Sequence, residues 1–142
     1  MDWEKYNNKT PIFTLEGSFV QGKIVDVYDG DTVKIVLNLS INQDYFRWNC
    51  RLSGINTPEI RTKNTKEKEF GLLVRDKLKE RIENKILLIK CGEFDKYGRL
   101  LVEIYENNGQ LFSINNWLIE NNYAKKYDGG KKHKWFSDEN KE

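Results

Sequence analysis

Three short polar clusters carry residue types that could hold a metal ion or a phosphate group. The first is Asp-Gly-Asp-Thr at residues 29–32, in which Asp-Gly is a common turn sequence that requires no function. Asp31 is different, because it follows the alternation of Val33 and Ile35 and should project towards the buried side of the next strand. A buried carboxylate needs a cation or hydrogen-bond donors, so we expect Asp31 to have such a partner.

The second cluster spans residues 51–59 and places an arginine, an asparagine, a threonine and a glutamate around one predicted strand end. One interpretation is a strand followed by a proline turn with ordinary surface charges. The other is a cation site, because the side-chain oxygens of Asp31 and Asn56 suit Ca²⁺ or Mg²⁺ and not Zn²⁺. Arg51 and Glu59 would then flank that site.

The third cluster, residues 93–99, has the sequence of a hairpin turn with Gly98 at positive φ and charged flanks. A functional interpretation is that this turn directs Lys96 and Arg99 towards the same pocket as Arg51. Two guanidinium groups on one phosphate would neutralise charge as it develops during phosphoryl transfer. Each of the three clusters, taken alone, also has a purely structural explanation.

The hydrophobic pattern predicts the elements that must position these clusters. Apolar residues recur every four positions in Lys66–Asn84, which predicts a long amphipathic helix, and Ser113 is a predicted N-cap of a short helix ending at Asn121. In the third strand, alternation places Arg51 opposite the apolar face. Five strands are predicted, at Phe19–Tyr28, residues 33–37, Phe46–Ser53, Lys85–Cys91 and Leu100–Tyr105.

This order of elements predicts the fold class. Five short strands, with a long helix between strands three and four and a short helix after strand five, are the layout of the OB-fold. We therefore predict an α+β, mainly β domain built on a five-stranded Greek-key barrel. Such barrels commonly bind oligonucleotides or oligosaccharides, but the fold alone does not determine the function.

Length and composition exclude several classes of protein. The chain has 142 residues, the size of one domain, and 13% of them are aromatic, which is enough for a core and argues against disorder throughout. Apolar runs are only a few residues long, so we expect no membrane span. The first residues contain no apolar segment, so we expect no signal peptide, although a removed one would leave no trace. The localisation stays open.

Few cysteines and a single histidine restrict the chemistry further. Cys50 and Cys91 each lie in a strand-like run, so we expect two buried free thiols, with one disulfide as the alternative. His133 is the only histidine, which argues against a Ser-His-Asp or Cys-His enzyme and against a zinc site. The net charge is only +2, but residues 123–135 interleave lysines with aromatic residues. This stretch is either a solvated tail or a segment that binds single-stranded nucleic acid.

In this order, and with the long helix between the second and third, the three clusters resemble the staphylococcal nuclease (thermonuclease) family. The matching stretches are residues 27–33, 51–59 and 95–99, and residues 123–125 are similar to a later family motif. The resemblance covers about residues 19–127. It implies a monomeric, Ca²⁺-dependent nuclease that cleaves DNA or RNA at the 5′ P–O bond and leaves 3′-phosphate ends.

The resemblance also implies roles for Asp31 and for residues of the second cluster. Asp31 and Asn56 would be Ca²⁺ ligands, Thr57 would bind the ion through its backbone carbonyl, and Glu59 would be the general base that deprotonates water. The family's usual residue at position 56 is Asp. Asn keeps one ligand oxygen but removes a full negative charge, so we expect weaker metal binding.

For the substrate, the resemblance implies that Arg51 and Arg99 clamp the scissile phosphate. Lys96 and Tyr97 would contact a neighbouring phosphate, and Tyr127 is the only aromatic residue placed to stack on a base. A rival hypothesis is a non-catalytic module of the same family that binds nucleic acid or protein. A purely structural OB domain is a third, but it would not explain three clusters.

We therefore expect three segments. They are a polar N-terminal arm at residues 1–17, a nuclease-like OB-fold domain at residues 18–128, and a basic C-terminal tail at residues 129–142.

Overall fold

The fold is a mainly β barrel with two helices, and the computed structural model describes residues 2–39, 44–132 and 134–136. A short 3₁₀ turn at Trp3–Lys5 precedes the barrel. The strands are β1 (Phe19–Val27), β2 (Thr32–Leu37), β3 (Phe46–Leu52), β4 (Ile55–Asn56), β5 (Ile86–Phe94), β6 (Leu100–Asn107), β7 (Leu111–Ser113) and β8 (Lys125–Lys126). The helices are α1 (Thr65–Ile82) and α2 (Ile114–Glu120).

Five strands form the barrel in the order β3-β2-β1-β5-β6, and β3 closes it by pairing with β6. All neighbours are antiparallel except this closing pair, in which Cys50 lies opposite Leu100 and Leu52 opposite Val102. The predicted alternation of β2 is confirmed, since Val33, Ile35 and Leu37 are buried and the residues between them are not. The predicted OB-fold class is therefore confirmed.

Helix α1 contributes Val74, Leu78 and Ile82 to the core. Its N-terminus is capped by Asn64, whose side chain accepts a hydrogen bond from the Glu67 N–H at 3.0 Å. The predicted four-residue repeat is buried at Val74, Leu78 and Ile82. Leu73, which sits beside that stripe in the sequence, is instead exposed. The helix thus buries a narrow face, as expected for a surface helix on a barrel.

The short strands were not predicted from the sequence. β4 lies in the stretch expected to be a loop and pairs with β8, so that Asn56 lies opposite Lys125. β7 follows the turn after β6 and pairs with its end. Runs of two or three residues carry too little hydrophobic pattern to be recognised, because a strand is detected by alternation over at least four residues.

The end of β3 also departs from simple alternation. Cys50, Arg51 and Leu52 are consecutive and all buried, although Arg51 was expected on the face opposite the apolar side chains. Arg51 is buried because its guanidinium lies against Asp31 and donates to the carbonyls of Leu52 and Ile55. Arg51 is therefore buried among polar partners and not exposed.

Several further expectations can be compared with the structure. Ser113 caps α2 as predicted, accepting a hydrogen bond from the Asn116 N–H at 3.1 Å. Cys50 and Cys91 are both buried free thiols. Within the described ranges, no helix has the length and apolar character needed to cross a bilayer. His133 and the tail beyond residue 136 lie outside the described residues.

Candidate active site

The turn between β1 and β2 brings two carboxylates together. Asp29 Oδ1 accepts a hydrogen bond from the Asp31 N–H at 3.0 Å, which fixes the turn. Asp31 is only 8% exposed, and its Oδ2 accepts from the Thr57 N–H at 3.3 Å. Burial, reinforced by the neighbouring Asp31 carboxylate, raises the pKa of Asp29 to about 7. Sequence reasoning assigned Asp29 to the turn alone; its spacing of two from Asp31 was the available signal.

Arg51 is a partner of the kind expected for Asp31, for which a cation and hydrogen-bond donors were the two alternatives. Its Nη2 lies 3.5 Å from Asp31 Oδ2, and the same nitrogen donates to the Ile55 carbonyl at 3.0 Å. Nη1 donates to the Leu52 carbonyl at 3.1 Å. The guanidinium is thus held by a carboxylate and two backbone carbonyls, and this arrangement fixes its orientation.

Asn56 and Thr57 follow directly in the β4 segment and are both buried. Asn56 is 5% exposed, and its side-chain Oδ1 is buried without a hydrogen-bond partner among the described residues. A buried carbonyl oxygen without a partner lowers the stability of the folded protein, so we expect a hydrogen-bond donor or a cation to contact it. Thr57 contributes its N–H to Asp31, which joins the first two sequence clusters in space.

The β5–β6 hairpin positions the third cluster. Gly98 has φ +82°, as predicted for the turn, and Asp95 organises it by accepting hydrogen bonds from the backbone N–H groups of Tyr97 and Arg99, both at 2.9 Å. Asp95 Oδ2 also accepts from Arg99 Nε at 2.8 Å. Although burial acts in the opposite direction, these three hydrogen bonds and the Arg99 charge lower the pKa of Asp95. Arg99 is therefore held in place on a rigid turn.

A cleft of about 460 Å³ brings the second and third clusters together. Its wall includes five of the residues predicted to bind substrate: Arg51, Lys96, Tyr97, Arg99 and Tyr127. The Tyr127 ring centre lies 5.5 Å from the Arg51 guanidinium, and the Tyr97 ring centre lies 5.5 Å from that of Arg99. Each arginine thus has an aromatic face beside it, an arrangement suited to a phosphate with an adjacent base.

The remaining predicted residues do not line this cleft. Asp31 reaches it only through its ion pair with Arg51, and Glu59 is exposed. Glu59 Oε1 lies 3.3 Å from the ammonium of Lys132, which does line the cleft. Sequence reasoning did not single out Lys132, because it stood in a lysine-rich tail without any pattern that distinguished it from its neighbours.

Comparison with known sequences identifies the family. The profile of the "Staphylococcal nuclease homologue" family matches residues 49–141, well over half of the chain. The chain belongs to the staphylococcal nuclease family. The matched stretch includes the second and third clusters, so Arg51, Glu59 and Arg99 all fall within it.

Relatives of this nuclease-family chain come from several organisms. An uncharacterized protein of Methanocaldococcus jannaschii is 32% identical, over 86% of this chain and 66% of its own length. An uncharacterized endonuclease of Escherichia coli is 25% identical, over 77% and 62%. The thermonuclease of Staphylococcus hyicus is 29% identical, over 58% and 47%. The chain thus spans between about half and two thirds of the length of these relatives.

The residues expected to hold Ca²⁺ fit a hard cation by their chemistry. Asp31 provides carboxylate oxygens, the buried Asn56 Oδ1 lacks a partner within the described part of the chain, and Thr57 carries a backbone carbonyl at the same place. In the described ranges, no three His, Cys, Asp or Glu side chains cluster tightly enough to bind a metal on their own. Any cation at this position therefore depends on the Asn56 amide oxygen and backbone oxygens as well as on carboxylate charge.

Proposed function

We propose that this chain is a Ca²⁺-dependent nuclease that hydrolyses single-stranded DNA or RNA at the 5′ P–O bond, leaving 3′-phosphate ends. The observation that carries the proposal is the cleft in which Arg51 and Arg99 meet, flanked by tyrosine rings. Guanidinium groups bind phosphate oxygens bidentately, and tyrosine faces stack on bases of any sequence. Membership of the family and the names of two relatives, an endonuclease and a thermonuclease, support the same chemistry.

In this proposal the two arginines act on the scissile phosphate. Negative charge on its oxygens increases as the attacking water bonds to phosphorus. Arg51 is oriented by Asp31 and two carbonyls, and Arg99 by Asp95, so neither side chain has to be ordered when the substrate arrives. Donors that are ordered in advance stabilise developing charge more effectively than mobile ones.

Glu59 acts as the general base. It takes a proton from the attacking water, whose oxygen forms the new bond to phosphorus. The bond between phosphorus and the 5′ oxygen breaks, and that oxygen takes up a proton from solvent, so the products are a 3′-phosphate and a 5′-hydroxyl. The Glu59 N–H donates to Glu67 Oε2 at 2.7 Å, and this hydrogen bond connects the backbone of the proposed general base to helix α1.

Asp31, Asn56 and the Thr57 carbonyl are the groups that would hold Ca²⁺. When bound, the ion would add positive charge beside the arginine-lined cleft. The Asp31 carboxylate has a second role that needs no metal, because it orients Arg51.

The rival proposal, a non-catalytic binding module, is favoured by one observation. Arg51 donates three hydrogen bonds to acceptors inside the protein, so fewer of its N–H groups remain for a substrate. An assay with a labelled single-stranded DNA separates the two. The nuclease proposal predicts cleavage in Ca²⁺ that stops in chelator and in Glu59→Gln. Binding without cleavage by the wild-type protein in Ca²⁺ would support the module instead.

The metal assignment predicts the effect of Asn56→Asp. In chelator the variant should melt at a lower temperature than wild type, because a third carboxylate is added near Asp29 and Asp31 in a buried place. In Ca²⁺ it should gain more melting temperature than wild type does, because the ion binds more tightly to more negative charge.

Calorimetry of Ca²⁺ binding checks this prediction. Asn115→Asp is the matched control, because Asn115 is also buried but its side chain bonds to Ile104, Ser53 and Val102. The control should lose stability without any stronger response to Ca²⁺. Equal Ca²⁺ affinity in wild type and Asn56→Asp would mean that residue 56 is not a ligand.

A further inference from the structure

A second part of the chain reaches the cleft, and we call it the C-terminal strap: residues 127–132 and 134–136. Its first residue, Tyr127, donates its N–H to the Gly54 carbonyl at 2.9 Å. The Tyr127 hydroxyl donates to the Gly130 carbonyl at 2.8 Å. The first bond holds the start of the strap against the loop that follows β3, and the second closes a turn within the strap.

The other end of the strap is anchored on helix α1. The rings of Trp135 and Phe136 make edge contacts with Phe70, with ring centres 5.7 and 6.1 Å apart. The Lys125 ammonium lies 4.5 Å from the Trp135 ring centre and donates to the Lys134 carbonyl at 3.1 Å. The described residues on either side of the lysine-rich stretch are therefore held, Tyr127 by the loop after β3 and Trp135 and Phe136 by helix α1.

Lys132 lies between the two anchors in the sequence. It contacts Glu59, the proposed general base, and it lines the cleft. Its ammonium is 3.3 Å from Glu59 Oε1 and 5.9 Å from the Tyr127 ring centre. Arg51, Lys96, Arg99 and Lys132 together give the cleft wall four cations, against the carboxylates of Asp95 and Asp128. The Lys132 and Glu59 side chains are 47% and 48% exposed, so their ion pair is weak and open to exchange.

We propose that Lys132 is a further substrate-binding residue. When substrate arrives, its ammonium moves away from Glu59 and binds a phosphate of the nucleic acid strand, next to the phosphate held by the two arginines. This inference rests on the proposed function. A nucleic acid strand brings several phosphate charges to the cleft, whereas Glu59 offers Lys132 a single carboxylate charge, and the strap anchors keep the ammonium within reach. Glu59 thus serves as the resting partner of Lys132 until substrate arrives.

The test measures binding of a fluorescein-labelled single-stranded oligodeoxynucleotide in chelator, where no cleavage occurs, over a series of salt concentrations. Lys132→Gln should weaken binding several-fold and reduce the slope of log Kd against log salt by about 0.7, the contribution of one phosphate contact on a single strand. Lys132→Arg should retain the wild-type slope. A Lys132→Gln slope equal to that of wild type would overturn the proposal.

The matched control is Lys79→Gln. Lys79 is 51% exposed and, like Lys132, pairs with a glutamate, in this case Glu83 at 3.8 Å, but it lies near the end of helix α1. Its substitution should change neither the affinity nor the slope. If Lys79→Gln lowers the slope as much as Lys132→Gln does, the effect is one of overall charge and the assignment fails.

Glu59→Gln provides a second, independent readout. Removal of the resting partner should tighten oligonucleotide binding, and the gain should disappear when Lys132→Gln is also present. The same gain with and without Lys132 would refute the exchange. These outcomes are distinct from those of the proposed function: oligonucleotide binding with this signature but no cleavage in Ca²⁺ refutes hydrolysis alone, whereas normal cleavage with an unchanged Lys132→Gln slope refutes only the role of Lys132.

Discussion

At the scale of single residues, the two arginines of the cleft are held in different ways. Arg51 is 8% exposed and satisfies two backbone carbonyls, so its replacement would leave buried acceptors without partners. Arg99 is partly exposed and depends on one carboxylate of its own turn. Arg99 is therefore the residue at which the chemistry can be tested without disturbing the barrel.

Arg99→Lys should reduce kcat by roughly 10²-fold or more, comparable to loss of one oxyanion donor, because Lys retains the charge but not the planar fork. Oligonucleotide affinity should change much less, since the rest of the cleft still binds the strand. Steady-state kinetics with a labelled DNA give both quantities. Arg61→Lys is the control, because Arg61 is exposed and lies over the Tyr28 ring at 5.9 Å, away from the cleft. Similar turnover in the two variants would remove Arg99 from the mechanism.

The sequence allowed some of these residues to be predicted and not others. Asp31 was expected to be buried beside a cation or hydrogen-bond donors, because alternation along a strand determines which side chains face inwards. In the structure it pairs with Arg51. The unpartnered Asn56 oxygen and the Lys132–Glu59 pair depend on how distant segments meet. No local sequence pattern predicts contacts between residues that are far apart in the chain, so these features are visible only in the structure.

At the scale of elements, the turn between β1 and β2 should make stability depend on pH. The pKa of Asp29 is raised to about 7 in the folded protein, against 3.8 for an unperturbed carboxyl, so between these values the native state holds a proton that the unfolded chain has lost. The contribution of Asp29 to the free energy of unfolding in chelator should therefore be greatest at low pH. It should fall as the pH rises from about 4 to about 7.

Urea unfolding in chelator at a series of pH values measures this trend. Asp29→Asn should flatten it, because Asn carries no proton to lose. Asp76→Asn, on the exposed part of helix α1, should leave the trend as in wild type. A decline that persists unchanged in Asp29→Asn would assign the proton to another group.

Helix α1 and the loop before it are in contact at a glycine. A Cβ on Gly71 would lie 2.9 Å from the carbonyl oxygens of both Pro58 and Glu59. Gly71→Ala should therefore destabilise the protein, although alanine in a helix is normally favoured over glycine by about 1 kcal/mol. It should also reduce turnover, since the backbone at Glu59 must move.

Thermal melting and the nuclease assay together check Gly71→Ala. Leu73→Ala, at an exposed position of the same helix, should have little effect on either. If Gly71→Ala has a higher melting temperature than wild type and normal turnover, the loop can move away from the helix without loss of stability or activity.

At the scale of the whole molecule, closure of the barrel joins the site to the core. Leu52 is fully buried and lies opposite Val102 in the closing pair, directly after Arg51. Leu52→Ala should cost about 2–5 kcal/mol of unfolding free energy, measured in urea. Leu111→Ala, at an exposed position of β7, should change it by less than about 0.5 kcal/mol. Equal effects would mean that the closing pair contributes little.

The OB-fold itself was predictable because five alternating or apolar runs and one strongly periodic helix each carried a local signal. The pairing of β4 with β8 and the anchoring of the strap were not, since each depends on two or three residues meeting segments some 70 positions away. The site is therefore less visible in the sequence than the barrel that carries it.

The position of the strap late in the chain affects how the protein is made. Residues 125–132 comprise β8, which pairs with Asn56, and the first part of the strap, which lines one wall of the cleft. They leave the ribosome after the barrel strands, since synthesis proceeds from the N-terminus. While those residues are still inside the ribosome, the nascent chain cannot have a finished cleft. In the proposed function, the cleft is therefore inactive until residues 125–132 have emerged.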